Sequence, residues 1–209
     1  MGSGTRTKLP LITFVLVIVN VVIFLLTDLF LVGLRDEAAY YMALNPFLVL
    51  KEGEYWRVVT SMFYHFGIDH LTCNMLMLFL LGRMLEPVFG RVRYFLLYFV
   101  SGLVASGASI LYNGIIVSER ERVVFSAGAS GAVYGLVGAF AVLFFFQRDR
   151  IPVSERRRTV LALIVLLFGS IFDSGVGHDA HFGGFIAGGV MGTMYYMWKQ
   201  RKQQKRWDT

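Results

Sequence analysis

The sequence has a single cysteine and few charged side chains, and each shortage excludes a class of protein. Cys73 has no second cysteine to pair with, so an intramolecular disulfide framework is excluded. Only 16% of the 209 residues are charged, 56% are hydrophobic, and the mean hydropathy is +0.60. A water-soluble domain of this size would leave much of that apolar surface exposed. The composition therefore predicts one membrane-embedded domain over residues 1–209.

Several familiar signals are also missing. The H-E-x-x-H pattern of zinc proteases does not occur, and the soluble nucleophile elbow G-x-S-x-G is interrupted because Ala132 occupies its last position. No cleavable signal peptide is expected, since the first apolar run, residues 9–30, is too long for a signal core.

The pI near 9.6 would suit nucleic acid, but the basic residues stand at the ends of apolar runs, which is typical of membrane topology. No nucleic-acid partner is predicted.

Six apolar stretches bounded by charge predict membrane-spanning helices, because about 20 apolar residues cross roughly 30 Å of hydrocarbon. They cover residues 9–30, 68–86, 92–113, 127–147, 158–172 and 180–198. The fifth is short and would also fit a buried helix of a soluble fold, but its basic flank, Arg156-Arg157-Arg158, favours a membrane boundary. The predicted fold is an all-α, polytopic bundle, followed by a basic cytoplasmic tail at residues 199–209.

The basic residues also orient the bundle, since Lys and Arg concentrate in cytoplasmic loops. With the N-terminus in the cytoplasm, 15 of the 20 Lys and Arg residues lie inside. The five left outside are Arg35, Lys51, Arg57, Arg120 and Arg122. Both termini are therefore expected inside. The absence of an Arg-rich, acid-poor transit peptide favours the cell membrane of a bacterium or archaeon over an organelle.

A long segment, residues 31–67, separates the first two predicted spans and is rich in aromatic residues. Aromatic side chains at this density suit the interface between membrane and water. A loop of this length inside a compact domain usually has structure or function of its own. We expect short interfacial helices here, with Glu54-Tyr55-Trp56-Arg57 pinning the loop to the bundle.

Polar side chains inside apolar stretches are costly to insert, so each is a candidate functional group. His70 and Asn74 lie one helical turn apart on one face of the second stretch. Ser130 begins the fourth stretch among glycines, where unpaired backbone N–H groups suit an oxyanion. His181 begins the sixth. Taken singly, each also fits a structural role: a hydrogen bond between helices, small-residue packing or a buried histidine.

Packing and topology bring these residues together. Small residues spaced by four form close-packing faces on the fourth and sixth stretches: Gly131 with Gly135, and Gly184 with Gly188. Contact between these faces would bring Ser130 and His181 within reach of each other. With the N-terminus inside, the second, fourth and sixth stretches all begin outside. His70, Asn74, Ser130 and His181 therefore share one depth, a little below the outer surface.

The residue types predict a serine hydrolase. His181 can take the proton from the Ser130 hydroxyl, which makes it a nucleophile toward a peptide carbonyl. Asn74, His70 and the Ser130 backbone N–H can stabilise the oxyanion. Tyr134, one turn from the serine, is placed to stack on the imidazole.

Other residues near the serine and histidine have supporting roles or none. Gly128 and Gly131 support the site, because a glycine lets other backbone approach closely. Asp173 and Asp179 are close to the histidine in sequence, but both are interpreted as loop residues. The prediction is therefore a Ser–His dyad without an acid.

At this point the motifs resemble the rhomboid intramembrane proteases. The resemblance covers nearly the whole chain in the order of the basic six-span form, and it also includes Trp56-Arg57 and the segment from Gly82 to Glu86. The motifs that carry it are His70-x-x-x-Asn74, Gly128-x-Ser130-Gly131 and Ala180-His181-x-x-Gly184.

The resemblance implies cleavage of single-pass transmembrane proteins near the membrane surface, with the lipid bilayer as surroundings and without metal or cofactor. It also implies a preference for small residues at the cleavage site and a lateral gate around the fifth span.

Three alternatives stay open at the level of sequence. An inactive rhomboid-like protein would bind membrane clients, but such relatives lack the serine or the histidine. A small transporter lined by His70, Asn74 and His181 would need polar residues through the whole bilayer depth. A metal site would use the four histidines of the chain: His65, His70, His178 and His181.

Overall fold

The computed structural model describes residues 9–30, 35–116, 125–147 and 177–205, together with positions 153, 156, 157, 160, 161 and 164. This part of the chain is helical, which confirms the predicted all-α class. Its helices are α1 (Leu11–Phe24), α2 (Arg35–Met42), α3 (Pro46–Lys51), α4 (Arg57–Thr60), α5 (Ile68–Phe89), α6 (Arg91–Leu111), α7 (Ser130–Gln147) and α8 (His178–Gln204). Single π-helical segments prolong α1 over Leu25–Phe30 and α6 over Tyr112–Ile116.

The long helices fall on the predicted apolar stretches. In the described part of the chain, three are long and apolar enough to cross a membrane: Leu11–Asp28, Ile68–Phe89 and Arg91–Ile115. Ser130–Phe146 is apolar but shorter. Helix α8 is long enough but less apolar, because its polar first turn and its basic last turns flank a glycine-rich middle. The predicted span 158–172 lies outside the described residues except for positions 160, 161 and 164, so the count of six spans stays a prediction.

Helix α5 continues three residues beyond the predicted end of the second span because Glu86 is not at a water boundary. Its carboxylate is 3% exposed. It accepts the backbone N–H groups of Ile12 and Thr13 at 3.0 and 2.9 Å and the Thr13 hydroxyl at 2.8 Å. The first N–H groups of a helix have no partner within it and form its positive end. Glu86 thus caps α1 and docks it on α5.

The aromatic segment between α1 and α5 contains the expected short helices, α2 to α4. Asn45 begins α3, where its side chain accepts the Leu48 N–H at 3.0 Å, and Pro46 follows at the first helical position. A side-chain oxygen at the N-cap and a proline just after it are both favoured at a helix start. The sequence therefore sets where α3 begins.

Arg57 holds the aromatic loop together. Its side chain is fully buried and bonds the Glu54 carboxylate and the carbonyl oxygens of Tyr40 and Ala43, the last at 2.9 Å. These partners all belong to the loop. The guanidinium thus folds the loop onto itself, and the pinning of the loop to the bundle by residues 54–57 stays a prediction.

Other groups attach the loop to the bundle. The Ser106 hydroxyl of α6 donates to the Val58 carbonyl at 3.2 Å. Leu44 and Ser126 exchange two backbone hydrogen bonds, of 2.8 and 2.9 Å, which tie the loop to the segment before α7. The loop is thus fixed beside the start of α7.

Helices α7 and α8 pack backbone to backbone. The contacts are made by the glycines spaced by four residues: Gly131 and Gly135 on α7, and Gly184 and Gly188 on α8. A Cβ atom on Gly184 would overlap the carbonyl oxygen of Gly131, and one on Gly188 would overlap that of Gly135. Farther along, a Cβ on Gly192 would lie 3.0 Å from the Ala139 Cα. No side chain larger than hydrogen fits at the first two contacts.

We predict that Gly188→Ala destabilises the protein, because its methyl group would meet the backbone of α7. Overpacking of this kind costs roughly 1–3 kcal/mol. The matched control is Gly189→Ala, since a Cβ at Gly189 meets nothing within 4 Å. Thermal unfolding in detergent should show a lower midpoint for Gly188→Ala alone. Equal midpoints for the two variants would contradict the packing described.

Candidate active site

The close contact between α7 and α8 places a serine beside a histidine. Ser130 is the first residue of α7, and His181 lies in the first turn of α8. The His181 Nε2 and the Ser130 Oγ are 2.9 Å apart, within hydrogen-bonding distance. His181 is 8% exposed, whereas Ser130 is half-buried. A nucleophile and a base in this relation form the core of a serine hydrolase site.

Tyr134 fixes the plane of the imidazole. It stands one turn after Ser130 on α7, and its ring stacks on His181 with centroids 3.9 Å apart and planes 12° from parallel. A ring that packs flat on another cannot rotate without losing the contact. The stack therefore limits the directions in which His181 can present its Nε2.

His70 and Asn74 lie against Gly128, which precedes Ser130 by two residues. A Cβ on Gly128 would be 2.7 Å from the His70 Cε1 and Nε2 atoms and 3.8 Å from the Asn74 Nδ2. Gly128 also has φ +121°, a conformation that other residues rarely adopt. Asn74 is 5% exposed and donates one amide hydrogen to the His70 carbonyl at 2.9 Å. Both side chains thus converge two residues before Ser130.

His65 is a site residue whose position sequence analysis missed. Its ring is fully buried, lies 5.1 Å from the His70 ring, and accepts the Ala129 N–H at its Nε2, 3.3 Å away. Burial, together with the nearby His70, lowers the pKa of His65 to about 3, so the ring is neutral near pH 7 and can accept this bond. His65 therefore holds the backbone next to the serine. Spacing did not indicate that this loop histidine points inward.

A cleft opens at Ser130 toward α6 and the aromatic loop. Its empty space, part of which is open solvent, is about 420 Å³, and it is lined by polar and small residues that include Ser61, Gly102, Ser126 and His181. A Cβ on Gly102 would meet the end of the Met62 side chain, which would have to shift. Ser130 thus faces a cleft that is partly open to solvent.

Asp179 corrects one prediction, because it lies in the first turn of α8 rather than in a loop. Its carboxylate accepts the Asn113 amide at 2.9 Å, and Asn113 also donates to the Ser109 carbonyl and hydroxyl at 3.1 and 3.2 Å. The bond joins the end of α6 to α8 two residues before His181. Asp173 lies outside the described residues.

The histidines do not gather into a metal site in the part of the chain that the structure describes. There, no group of three His, Cys, Asp or Glu side chains is close enough to hold an ion. His178 and His181 face each other with ring centroids 6.4 Å apart, and His181 is engaged by Ser130 and Tyr134.

The apolar helical fold defines the class, an integral membrane protein, and comparison with known proteins gives the family. The rhomboid domain matches residues 52–198. The chain is 37% identical to RHOMBOID-like protein 5 of Arabidopsis thaliana over 148 residues, 69% of this chain and 45% of that protein. It is 26% identical to rhomboid protease GluP of Bacillus subtilis (strain 168) over 179 residues, 86% of this chain and 34% of that protein.

A third relative matches in length as well. YdcA, also of Bacillus subtilis (strain 168), is 28% identical over 195 residues, which are 92% of each chain. The chain spans less than half the length of the other two relatives. It belongs to the rhomboid family, integral membrane proteins that include serine proteases.

We predict that the Asn113–Asp179 bond stabilises the start of α8. Asn113→Ala and Asp179→Ala should each lower the unfolding midpoint, because a hydrogen bond to a charged group contributes about 1.5–3 kcal/mol. The exchanged pair Asn113→Asp with Asp179→Asn should recover most of the loss, since donor and acceptor only trade places. A double-mutant cycle on thermal unfolding measures this coupling. Additive losses with no recovery would show that the two side chains act independently.

Proposed function

We propose that the chain is an intramembrane serine endopeptidase that cleaves single-pass transmembrane proteins near the outer membrane surface. The observation that carries the proposal is the 2.9 Å contact between Ser130 Oγ and His181 Nε2, two residues that start separate helices. Membership of the rhomboid family and the likeness to a named rhomboid protease support it.

The proposed reaction proceeds through an acyl-enzyme. Ser130 Oγ attacks the carbonyl carbon of the scissile bond while His181 Nε2 takes the hydroxyl proton. The C–N bond then breaks, the leaving amine receives that proton, and the acyl group remains on the serine as an ester. Water attacks the ester and gives its proton to His181; the bond between the acyl carbon and Ser130 Oγ then breaks, Oγ takes that proton back, and the carboxylic product leaves. Each step uses only these side chains and water, so no metal or cofactor is required.

The oxyanion of the tetrahedral intermediate is proposed to lie between Ser130 and Gly128. As the first residue of α7, Ser130 has a backbone N–H with no acceptor in a preceding turn. Asn74 keeps a second amide hydrogen free of the bond to His70, because a side-chain amide has two. His70 supplies a ring N–H beside Gly128. Losing one such donor typically costs about 10²–10³ in rate.

The proposed arrangement in the membrane is a single domain, residues 1–209, with six spans, both termini in the cytoplasm and the site toward the outside of a cell membrane. The excess of basic residues on one side supports this orientation. The cleft beside Ser130 supports cleavage next to a small side chain.

We predict that Ser130→Ala abolishes cleavage of a model single-pass substrate in proteoliposomes, because no other group can form the ester. His181→Ala should lower the rate by at least about 10³-fold, since the serine loses its base. His178→Ala is the matched control: it removes a histidine from the same helix one turn earlier and should keep most of the activity. A chelator should have no effect.

Cleavage that persists in Ser130→Ala would overturn the serine mechanism. A wild-type protein that binds the substrate but never cleaves it would instead favour the inactive, client-binding alternative.

A further inference from the structure

Three cations surround two aromatic rings where α6 begins and α8 ends. The Arg93 guanidinium lies 4.2 Å from the centre of the Trp198 ring, and the Lys202 ammonium lies 5.5 Å from it. The Lys199 ammonium lies 5.8 Å from the Tyr195 ring, which is itself 5.9 Å from Trp198. We call these five residues the basic–aromatic cluster.

The basic–aromatic cluster contacts the end of α5. Tyr195 stacks on Phe89 with ring centroids 4.3 Å apart, and its hydroxyl donates to the Val88 carbonyl. Arg93 donates to the Phe89 carbonyl at 3.5 Å. The end of α5 thus anchors Tyr195 and contacts Arg93.

Within the part of the chain that the structure describes, no carboxylate forms an ion pair with the three cations of the cluster. Arg93 and Lys202 are like charges drawn to one indole ring, an arrangement that a nearby anion would stabilise. The ion pair of Arg57 with Glu54 belongs to the aromatic loop. Glu86 is nearer in the fold but is buried against the start of α1. An anion of another molecule would therefore add a partner that the described residues do not supply.

Apolar helix faces continue from the cluster. Leu96 and Val100 follow Arg93 at helical spacing on α6 and are 47% and 37% exposed. Met194 and Val190 precede Trp198 at the same spacing on α8 and are 65% and 54% exposed. An anion with apolar chains attached would match both the cations and these faces, whereas a free anion would match only the cations.

We propose that the basic–aromatic cluster binds the phosphate of an anionic phospholipid, whose acyl chains lie along the exposed apolar faces of α6 and α8. Guanidinium and ammonium groups are the usual partners of phosphate, and Trp is favoured at the membrane interface. Basic residues next to the cytoplasmic end of a span attract anionic lipids. This site is at the opposite end of the bundle from Ser130, and the inference does not depend on the proposed peptidase activity.

The test compares lipids by thermal unfolding of the full chain in detergent. Phosphatidylglycerol at about ten times its Kd should raise the unfolding midpoint by about 3–6 °C, because a ligand that binds only the folded state stabilises it. Phosphatidylcholine and inorganic phosphate at the same concentration should raise it by much less. An equal shift with phosphatidylcholine, or with phosphate alone, would overturn the proposal.

Two double variants locate the effect. Arg93→Gln with Lys202→Gln should lose most of the shift with phosphatidylglycerol. Arg91→Gln with Arg201→Gln removes the same charge from the same helices, away from the indole, and should keep the shift. If both variants lose it equally, the effect is general surface charge and the proposal fails. Lys202→Gln alone, measured the same way, replaces the first variant if that one does not fold.

Discussion

The backbone contact between α7 and α8 is the constraint on which the candidate site depends. Water does not drive helices together inside a bilayer, so close packing of small residues has to hold them. Helix axes commonly lie 8–10 Å apart, about the distance that side chains between them dictate. Here Gly184 and Gly188 leave nothing between the helices, and the carbonyl groups of α7 occupy the space. Ser130 and His181 start these helices, so the backbone separation sets the distance between Oγ and Nε2.

Helix α7 is confined on its other side as well. A Cβ on Gly131 would lie 2.5 Å from the Ala105 Cβ of α6, and one on Gly135 would overlap Ser101. The same glycines therefore serve two neighbours. With 18 residues, α7 is about 27 Å long at 1.5 Å per residue. This is slightly shorter than the roughly 30 Å thickness of a bilayer's hydrocarbon core, and the depth of Ser130 stays a prediction.

The backbone polar groups of the non-helical segment before α7 would be costly to bury in a membrane without hydrogen-bond partners. Polar backbone is tolerated inside a membrane only where protein or a cavity covers it. Ser126 pairs with Leu44, the Gly128 N–H donates to the Ser61 carbonyl at 2.8 Å, and the Ala129 N–H donates to His65. The aromatic loop, closed on itself by Arg57, supplies all three partners: Leu44, Ser61 and, near its end, His65. The loop thus covers the backbone that leads to Ser130.

Much of the fold and of the candidate site was predictable from the sequence, because it depends on local rules. Apolar length and flanking charge indicate the long helices, and a glycine spacing of four indicates which faces of α7 and α8 meet. The pairing of Ser130 with His181 then follows as a prediction. Inward-facing charges were not predictable in the same way. Glu86 resembled a span boundary and Arg57 an anchor to the bundle, because a charge in sequence does not show which backbone groups of a distant segment will satisfy it.

The same limit explains why the positions of His65 and Asp179 were not predicted from the sequence. His65 accepts a bond from a residue 64 positions away, and Asp179 accepts one from Asn113, 66 positions away. Neither has a neighbour in sequence that points to its partner. Local spacing predicts faces of helices, whereas long-range bonds to loop backbone depend on how the helices finally pack.

The most direct test of the central claim is labelling by a fluorophosphonate, which reacts with an activated serine. The wild-type protein in detergent should be labelled at Ser130, and the label, located by mass spectrometry of the digested protein, should disappear in His181→Ala while that variant stays folded. Labelling of Ser130 that is unchanged without His181, or a folded wild-type protein that is never labelled there, would contradict the assignment of these two residues as nucleophile and base.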